Sequence, residues 1–546
     1  MKERLSCDVL VVGAGVCGMR AAESASAAGA SVILAVKGKI GSSGASAYTV
    51  TEASGFGVAD GYRCPEDSPD RHFEDIMRAG HGMCDPAVVR TLVDGALDTV
   101  QELEGFGVSF EREADGRYLV SQGCFGSLPR NYNLRGHGTG IIRALRQHLK
   151  ESVRIMEDVM ITDLLPRGGR CVGAAALDRT GRELLISAKA VVLASGGAGR
   201  LFRFSLNPAE MTGDSYALGY LAGAKLQNLE FMQVGMGVLP PGKSILNSWI
   251  WSVHPKVTDR FGNPVFPEVF PDGITLTEAM DLKSTHYPFS MESPSRNIEI
   301  WMQRAIAEGR GCDHGGVMMD AVSALKNRQA GKLQLFEDMW RLTNAWFLSR
   351  GIRPEESPME IACFAHAING GLKIDPRAKT SVPGLYAAGE ASAGPHGADR
   401  LGGNMLVTCT VFGKIAGQEA AAETDAGFSP NPEMPEPLGW GGSGKPAGDL
   451  IENLRSAMLN NLLVVRSEEK CRRLEEVLNQ IAEEAPSADF SGMSVWAPYE
   501  MRNMLLTSHL MLEAVRWRRE SRGSHYREDY PRENPEFEKP YTIQRT

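Results

Sequence analysis

Residues 7–18 read CDVLVVGAGVCG, and this stretch decides the expected fold of the N-terminal half. A short apolar run is followed by Gly13, Gly15 and Gly18 in the spacing G-x-G-x-x-G, and a segment of helical composition comes next. A second apolar segment at residues 31–36 completes a βαβ unit. In this context the glycines allow a tight turn and bring the backbone close to a pyrophosphate at a helix N-terminus. The sequence therefore predicts a dinucleotide-binding domain.

The end of the second strand departs from the usual dinucleotide-binding pattern. An acidic residue normally stands there and binds the ribose, but this strand ends in VKGK at residues 36–39 and offers Lys37. The sequence does not identify the group that holds the ribose. The small-residue loop GSSGASA at residues 41–47, with Ser43 and Gly44, is expected to lie beside the cofactor ring, and an ordinary flexible turn is the alternative.

A second glycine-rich stretch, residues 383–417, reads PGLYAAGEASAGPHGADRLGGNMLVTCTVFGKIAG. It predicts a strand, a loop that carries His396 and Arg400, and a helix that begins near Gly402. Backbone N–H groups at such a helix start stabilise a negative charge, such as the one on the pyrimidine ring of a reduced flavin. Arg400 stands just before the helix, where a guanidinium can bind a carboxylate through two parallel hydrogen bonds. A solvated loop arginine is the alternative interpretation.

Length, charge and cysteine content limit the number of domains and the classes of function that are expected. The chain has 546 residues, 43% of them hydrophobic, which is enough for two or three domains. Its net charge of −9 gives no electrostatic indication of nucleic-acid binding. The ten cysteines form no C-x-x-C pair, so no iron–sulfur or zinc pattern is expected in this chain. We expect a cytoplasmic protein, because the sequence shows neither a secretory leader nor an apolar run near the ~18 residues of a membrane span.

The order of segments predicts three parts. Residues 190–199, AVVLASGGAG, form a buried strand that ends in glycines and returns beneath the first motif to close the cofactor site. Further along, prolines, aromatic residues and irregular loops surround one good helix near residues 298–309, which indicates an inserted domain. A Pro/Gly-rich linker at 427–448 precedes three helical segments. The predicted domains are residues 1–237 with 354–426, residues 238–353, and residues 427–546.

Taken together, these segments resemble the succinate dehydrogenase/fumarate reductase flavoprotein family, which includes aspartate oxidase and adenylylsulfate reductase flavoprotein subunits. The matching segments run in the family's order from residue 8 to residue 531: DVLVVGAGVCGMRAA, AVVLASGGAG, NLEFMQ, HAINGGLKID, GLYAAGE, HGADRLGGN and ESRGSHYREDYP. The resemblance implies an α/β, Rossmann-like FAD-binding domain with an inserted α+β capping domain and a C-terminal helical domain. It also implies two-electron transfer between FAD and a small substrate, usually a dicarboxylate.

The resemblance assigns roles residue by residue. It places a substrate carboxylate on Arg400 and His366, the pyrophosphate on the glycines of the first motif, and the ribose at Glu390. A core histidine with a satisfied ring is the alternative for His366. The other cofactor contacts that it suggests are Lys37, Ser43, Gly44, Ala194, Gly196, Gly197, Asp214, Gly402, Asn404 and Leu406.

Departures from the family pattern are informative. The loop at 41–47 lacks the histidine that members with covalent flavin carry, and the next histidine is His72, so FAD is expected to be non-covalent. We also expect a proton-delivering arginine in an R-G-E-G-G segment, and the chain has none; an ungapped count places Trp251 there. The local candidates for a substitute acid are His254, Lys256, Arg260 and His286.

The leading hypothesis is an FAD-dependent oxidoreductase subunit that acts on a small carboxylate, not necessarily fumarate, and exchanges electrons with a separate iron–sulfur partner. Such a partner could hold the chain at a membrane that it does not enter itself. One alternative keeps this chemistry but uses a sulfur oxyanion or an amino acid. Another is a flavin-carrying electron relay without an organic substrate. The basic residues between Arg516 and Arg522 would then dock an acidic partner, although a solvated face is the plainer interpretation.

Overall fold

A computed structural model describes residues 3–48, 51, 54–240, 242–327, 334–423 and 432–545. The α-helices in these residues are α1 Val16–Ala27, α2 Pro69–Ala79, α3 Pro86–Ala96, α4 Thr99–Gly105, α5 His137–His148, α6 Asp214–Leu221, α7 Leu276–Thr285, α8 Arg296–Ala305, α9 Val322–Lys326, α10 Gln334–Ser349, α11 Asn404–Ala421, α12 Ala447–Leu462, α13 Glu468–Glu484 and α14 Ala497–Trp517.

The strands in the described residues are β1 Glu3–Val12, β2 Val32–Val36, β3 Gly55–Gly57, β4 Val120–Ser121, β5 Asn131–Asn133, β6 Val153–Glu157, β7 Val159–Arg167, β8 Arg170–Asp178, β9 Glu183–Leu193, β10 Leu226–Gln227, β11 Met232–Val238, β12 Ser244–Ile245, β13 Lys256–Thr258, β14 Val317–Asp320, β15 Met359–Ile368, β16 Gly371–Lys373, β17 Leu385–Ala387, β18 Ser392–Ala393, β19 Val465–Arg466, β20 Tyr526–Arg527 and β21 Thr542–Ile543.

The central sheet is built around β1, as the first glycine motif predicts. Strands β6, β2, β1, β9 and β17 are parallel neighbours in that order, and β8 and β7 continue the sheet antiparallel. The sequence predicted a strand over residues 190–199, and these bounds are wrong, since β9 is one continuous strand from Glu183 to Leu193. The reason is its pairing: one edge follows β1 throughout, while the other edge pairs first with β8 and then with β17.

Helices α1 and α11 pack closely beneath this sheet edge, because glycines remove side chains from their contact. A Cβ at Gly413 would lie 2.7 Å from the carbonyl oxygen of Cys17, and one at Gly417 would lie 2.3 Å from that of Ala21. Both helices begin where a strand of the sheet ends, α1 after β1 and α11 in the segment after β17. The N-terminus of α1 lies at the carboxyl edge of the parallel strands, where α/β proteins bind ligands. Because Cys17 in the first turn of α1 faces Gly413 in the middle of α11, the N-terminus of α11 reaches beyond that of α1.

The inserted segment leaves and returns on neighbouring strands. Strands β11 and β15 are antiparallel, with Met232 opposite Ile368 and Val238 opposite Ile361, and β12, β14 and β13 extend this sheet. The expectation of one good helix is wrong, since α7, α8, α9 and α10 all lie between β11 and β15. A capping box between Thr275 and Glu278 starts α7, so local capping makes a helix where apolar periodicity is weak. The domain boundaries at 237/238 and 353/354 remain predictions.

The C-terminal region contains the three predicted helices as α12, α13 and α14. Part of the predicted linker, residues 427–431, and the boundary at 426/427 lie outside the described residues. The basic cluster is not a solvated or docking surface as a whole, because Arg518 and Arg522 are buried against Glu230 and Glu520. No helix in the described part of the chain is both long and apolar enough to cross a bilayer.

Candidate active site

The first glycine motif forms a tight backbone cradle. A Cβ at Gly13 would lie 2.5 Å from the Ala194 carbonyl oxygen, and one at Gly18 would lie 1.8 Å from the Gly13 carbonyl oxygen. Gly13 also has a φ of +100°, which side-chain-bearing residues rarely adopt. Gly15 caps α1 without a side-chain hydrogen bond. The first turn of α1 therefore keeps backbone N–H groups for an anion such as pyrophosphate.

The loop at 41–47 packs against this cradle. Ser46 Oγ accepts a hydrogen bond from the Val16 backbone N–H at 3.3 Å and lies near Gly15. Ser43 Oγ donates to the Lys39 carbonyl at 2.7 Å, and Gly44 has a φ of +82°. The two sequence-predicted segments are thus brought together, although Ser43 donates its hydroxyl proton within its own loop.

Lys37 and Asp214 are joined to each other rather than left free. Lys37 Nζ lies 3.0 Å from the Asp214 carboxylate and 2.6 Å from that of Glu500, and it donates to Thr212 Oγ1 at 2.9 Å. The Asp214 carboxylate raises the pKa of Lys37, as does that of Glu500, against an opposing effect of burial. This ion cluster connects the end of β2 to α14, so it fixes the cofactor-binding sheet against the C-terminal helices.

The Glu390 side chain packs against Gly197, in the glycine turn that follows β9. Its Oε1 accepts a hydrogen bond from the Ile368 backbone N–H at 3.1 Å, and a Cβ at Gly197 would lie only 2.2 Å from this oxygen. Burial raises the pKa of Glu390 to about 7, and the nearby Arg400 charge lowers it in part. Glu390 can therefore donate or accept a hydrogen bond near neutral pH.

A line of partly exposed groups runs along the carboxyl ends of β1, β9 and β17, whereas the strands beneath are buried. These partly exposed residues are Gly13, Gly15, Ser195, Gly196, Glu390, Gly402, Gly403 and Leu406. Glycines at an accessible strand edge, joined to two helix N-termini, suit an extended dinucleotide. The residues present therefore fit FAD, with the pyrophosphate at α1 and the flavin at α11.

The N-terminus of α11 is prepared for the ring end of such a cofactor. Its cap, Gly403, has a φ of +88° and no side-chain hydrogen bond. Asn404 Oδ1 pairs with His72 Nε2 at 3.0 Å, while Asn404 Nδ2 is buried with no partner among the described residues. Burial lowers the pKa of His72 to about 4, so its ring is neutral. Uncapped N–H groups and one unused amide donor favour an electron-rich ligand here.

Arg400 is buried, yet none of its hydrogen bonds within the described chain goes to a carboxylate. Its Nη2 donates to the Gln233 side-chain oxygen at 2.6 Å and its Nη1 to the Leu401 carbonyl at 3.3 Å. Its Nε is buried without a partner in the same residues. Burial lowers the pKa of Arg400, and the charge of Glu390 only partly opposes this effect. A guanidinium in this state is short of an anion.

Two histidines lie within reach of the Arg400 charge. Burial lowers the pKa of His366 to about 3, and Arg400 lowers it further; the ring nonetheless keeps some exposed surface. No described residue hydrogen-bonds its ring nitrogens. His396 pairs with Thr408 at 3.3 Å through Nε2 and has a buried Nδ1 with no partner in the described part of the chain. Both rings are neutral near pH 7 and can hydrogen-bond a ligand oxygen.

Two residues that the sequence analysis did not single out lie beside this group, Tyr287 from the inserted segment and Cys124 from the FAD-binding part. Tyr287 stands edge-on to His366, with ring centroids 6.5 Å apart, and donates to the Met236 carbonyl at 3.1 Å. The Gly402 N–H donates to the Cys124 carbonyl at 3.0 Å. Burial raises the pKa of the Cys124 thiol, while the Tyr287 backbone N–H and the charges of Lys283 and Arg400 lower it in part. Only folding brings these distant residues together, so no local signal could have identified them.

The four candidate acids are placed very differently. His254, Lys256 and Arg260 are exposed. His254 Nε2 lies 2.6 Å from Asp281, and the Arg260 guanidinium stacks on Phe261. The His286 ring instead lies edge-on to Phe125, with ring centroids 4.8 Å apart. Burial lowers the pKa of His286 to about 3, so it is not a ready proton donor either.

Comparison with known proteins decides the family. Residues 8–406 match the family described as FAD binding domain, and residues 451–543 match the one described as fumarate reductase flavoprotein C-term. The chain belongs to the succinate dehydrogenase/fumarate reductase flavoprotein family. It is an FAD-dependent oxidoreductase of that family.

Relatives span nearly the whole chain. A fumarate reductase (CoM/CoB) subunit of Methanothermobacter marburgensis is 33% identical over 100% of this chain and 98% of that protein. An L-aspartate oxidase of Streptomyces coelicolor is 30% identical over 96% of this chain and 89% of its own length. The structure of Mycobacterium smegmatis Sdh1 in complex with UQ1 superposes with a TM-score of 0.83 at 27% identity, over 99% of this chain and 94% of that one. The predicted family and fold class are confirmed.

Proposed function

We propose that this chain transfers two electrons between FAD and a small carboxylate, and that Arg400 is the anchor of that carboxylate. The observation that carries the proposal is the state of Arg400: a buried guanidinium whose described hydrogen bonds all go to neutral oxygens. Burying a charge without a counterion is costly. A substrate carboxylate that pairs with Arg400 supplies the missing anion, which makes binding selective for acids.

The surrounding residues position such a substrate. When bound, FAD supplies the two-electron chemistry. Neutral His366 can hydrogen-bond the carboxylate or a neighbouring oxygen without adding a charge. Gln233 holds the guanidinium plane through Nη2, and Tyr287 of the inserted segment lies edge-on to His366. Burial of Arg400 limits its contact with water and so strengthens an ionic contact with a substrate carboxylate.

FAD is proposed to be held without a covalent bond. The loop at 41–47 contains only glycine, serine and alanine, and the next histidine, His72, is buried with its Nε2 on Asn404. The groups proposed to contact FAD are Gly13, Gly15, Gly18, Lys37, Ser43, Gly44, Ala194, Gly196, Gly197, Asp214, Glu390, Gly402, Asn404 and Leu406. Acid precipitation of the purified protein should release all of the yellow cofactor, whereas a covalent link would leave it in the pellet.

Anaerobic absorbance spectroscopy tests the main proposal. The purified protein is reduced with dithionite, freed of excess reductant, and mixed with fumarate, since relatives are named fumarate reductases. We expect the oxidised flavin band to return in the wild type and to stay absent in Arg400→Met. If fumarate fails, aspartate-derived imines, other enoates and sulfur oxyanions are tested in the same way. A flavin that no carboxylate or oxyanion reoxidises would favour an electron relay without an organic substrate.

We further propose an iron–sulfur protein as the electron-exchanging partner. The sequence contains no cysteine cluster motif, so an iron–sulfur cluster that exchanges electrons with the flavin would belong to a separate protein. Two relatives are named as subunits, which agrees with a multi-component enzyme. The complex purified from the native host should contain iron and acid-labile sulfide and should reoxidise the flavin faster than the isolated chain does. A native preparation free of iron would contradict this.

A further inference from the structure

His81, Glu292 and Asp399 meet beside the candidate active site although they come from distant parts of the chain. His81 follows α2, Glu292 lies between α7 and α8 in the inserted segment, and Asp399 directly precedes Arg400. One donor atom from each, an imidazole nitrogen or a carboxylate oxygen, lies within 4.8 Å of the other two. None of these three residues takes part in the function proposed above.

Two potential metal-binding atoms of this cluster are buried and have no hydrogen-bond partner in the described residues. Asp399 is fully buried; its Oδ2 accepts a hydrogen bond from Ser290 at 2.5 Å, but its Oδ1 has no partner among the described residues. His81 Nε2 is also buried without a partner in that part of the chain, and its 3.9 Å distance to Asp399 Oδ2 is too long for a hydrogen bond. Buried polar atoms that lack partners carry an energetic penalty, which a ligand shared by the two residues would remove.

The orientation of the His81 ring supports ligation through Nε2. Its Nδ1 faces the Glu533 carboxylate at 3.4 Å, and its backbone carbonyl accepts a hydrogen bond from Arg522 at 3.2 Å. Histidines that bind metals commonly present the other ring nitrogen to a carboxylate, which directs the free lone pair at the ion. Arg522 does not oppose a cation strongly, because Glu520 pairs with its guanidinium at 2.8 and 2.9 Å.

We propose that His81, Glu292 and Asp399 bind a divalent transition-metal cation that ties the inserted segment to the loop carrying Arg400. One imidazole with two carboxylates suits Zn²⁺ or Mn²⁺ better than Mg²⁺ or Ca²⁺, which prefer all-oxygen sites. The Glu292 side chain is exposed, so it can adjust its position to the shorter distances of metal–ligand bonds, and water can complete the shell.

The structural consequence is a further link between the inserted segment and the FAD-binding part. Ser290 already joins Asp399 by a hydrogen bond, and Glu292 is two residues further along the same turn. A cation on Glu292 and Asp399 would strengthen that junction beside Arg400. The role is structural, so it requires neither substrate nor turnover and stands or falls separately from the proposed function.

A titration of the FAD-loaded protein with Mn²⁺ tests the proposal. The protein is first treated with a chelator and dialysed, and free Mn²⁺ is then followed by its EPR signal. We expect one equivalent to bind in the wild type, Zn²⁺ to displace it, and Zn²⁺ to raise the thermal unfolding midpoint. His81→Asn and Glu292→Gln should each weaken Mn²⁺ binding at least tenfold and remove the thermal shift.

The chain offers matched controls. Asparagine tolerates the left-handed backbone of His81, whose φ is +48°, so His81→Asn removes the ligand without backbone strain. Glu292 is exposed, which makes its variant safe for folding. Glu536→Gln removes an exposed carboxylate outside the cluster and should change Mn²⁺ affinity less than about threefold, whereas Glu533→Gln removes the carboxylate that faces Nδ1 and should weaken Mn²⁺ binding. Absence of stoichiometric Mn²⁺ and Zn²⁺ binding, or binding that both ligand variants retain, would overturn the proposal.

Discussion

Two buried arginines of this protein have opposite surroundings. Arg518 donates to Glu230 Oε1 at 2.6 Å, to Glu520 Oε1 at 2.9 Å and to two backbone carbonyls near the C-terminus. Arg400 is nearly as buried but reaches only an amide oxygen and one carbonyl, and its Nε has no partner in the described chain. The first guanidinium is compensated by the protein itself. The second is left for a ligand.

This difference separates a structural ion pair from a binding site. A buried charge that has its counterions holds elements together, and removing one partner exposes the other to the full desolvation cost. A buried charge without counterions lowers the stability of the folded protein, and binding of an anion removes this cost. Both arginines stand in conspicuous basic or glycine-rich sequence, so the sequence alone does not distinguish them. What distinguishes the two arginines is the carboxylates that folding places within hydrogen-bond distance of each.

The largest expected effect is on catalysis at Arg400. Arg400→Met should lower kcat/KM for the carboxylate substrate about 10³-fold, because truncating one side of a buried charge pair costs several kcal/mol. Steady-state kinetics of the FAD-loaded protein measure this. Arg519→Met is the control, since Arg519 is exposed. Retention of more than about a tenth of the activity in Arg400→Met would mean that the anion binds elsewhere.

The complementary change at Arg518 should act on stability. Arg518→Met leaves Glu230 and Glu520 without the guanidinium and should lower the free energy of unfolding by about 3–5 kcal/mol. Denaturant titration of the FAD-loaded protein checks this, with Arg519→Met expected within about 0.5 kcal/mol of wild type. A loss below about 1 kcal/mol would show that the cluster is not the compensated pair described above.

A carboxylate introduced beside Arg400 should give this guanidinium a counterion within the protein, as Arg518 already has. In Gln233→Glu the new charge lies where Arg400 Nη2 now meets an amide oxygen at 2.6 Å, so it competes with the substrate. We expect KM to rise about 10- to 100-fold while stability is unchanged or higher. Substrate titration and thermal unfolding of the same preparation give both numbers.

The reciprocal control removes a carboxylate from the other cluster. Glu230→Gln should lower stability by about 1–3 kcal/mol and leave KM unchanged. If Gln233→Glu leaves KM unchanged while Glu230→Gln raises it, the roles assigned to the two arginines are reversed.

A smaller effect concerns pH. Burial raises the pKa of Glu390 to about 7, above its ordinary value of 4.5. The folded state therefore binds a proton that the unfolded state releases between about pH 4.5 and 7, and the Glu390 contribution to stability falls as pH rises through that window. We expect the stability difference between wild type and Glu390→Gln to change by about 2 kcal/mol between pH 5 and 8. If the free energy of unfolding plotted against pH gives parallel curves for the two proteins, the raised pKa of Glu390 is contradicted.

The smallest effect is expected for the exposed candidates of the inserted segment. His254→Asn and Arg260→Ala should each change kcat/KM less than about twofold, because one side chain pairs with Asp281 and the other lies on Phe261. Side-by-side rate measurements with Arg400→Met decide this. A loss above tenfold in either variant would place a proton donor among these exposed residues.

Local sequence determined the FAD-binding part of this protein. The glycines at 13, 15 and 18, the apolar strands around them and the helix start at 403 depend on backbone conformation and short-range capping, which a sequence records within a few residues. The resemblance through HGADRLGGN and ESRGSHYREDYP then identified the family, and it predicted the role of Arg400, which stays a prediction. These features were predicted because each is encoded locally.

Tertiary structure alone decided how the charges pair. The sequence did not show that Lys37 pairs with Asp214 and Glu500, and its contact with the cofactor stays a prediction. The arginines at 518 and 522 were expected at the surface and are buried against carboxylates. Cys124 and Tyr287 come close to Arg400 and His366 across more than 70 residues of chain. A charge is structural or functional according to the counterions that folding brings within a few ångströms, and Coulomb energy in a desolvated interior depends on those distances and not on position in the chain.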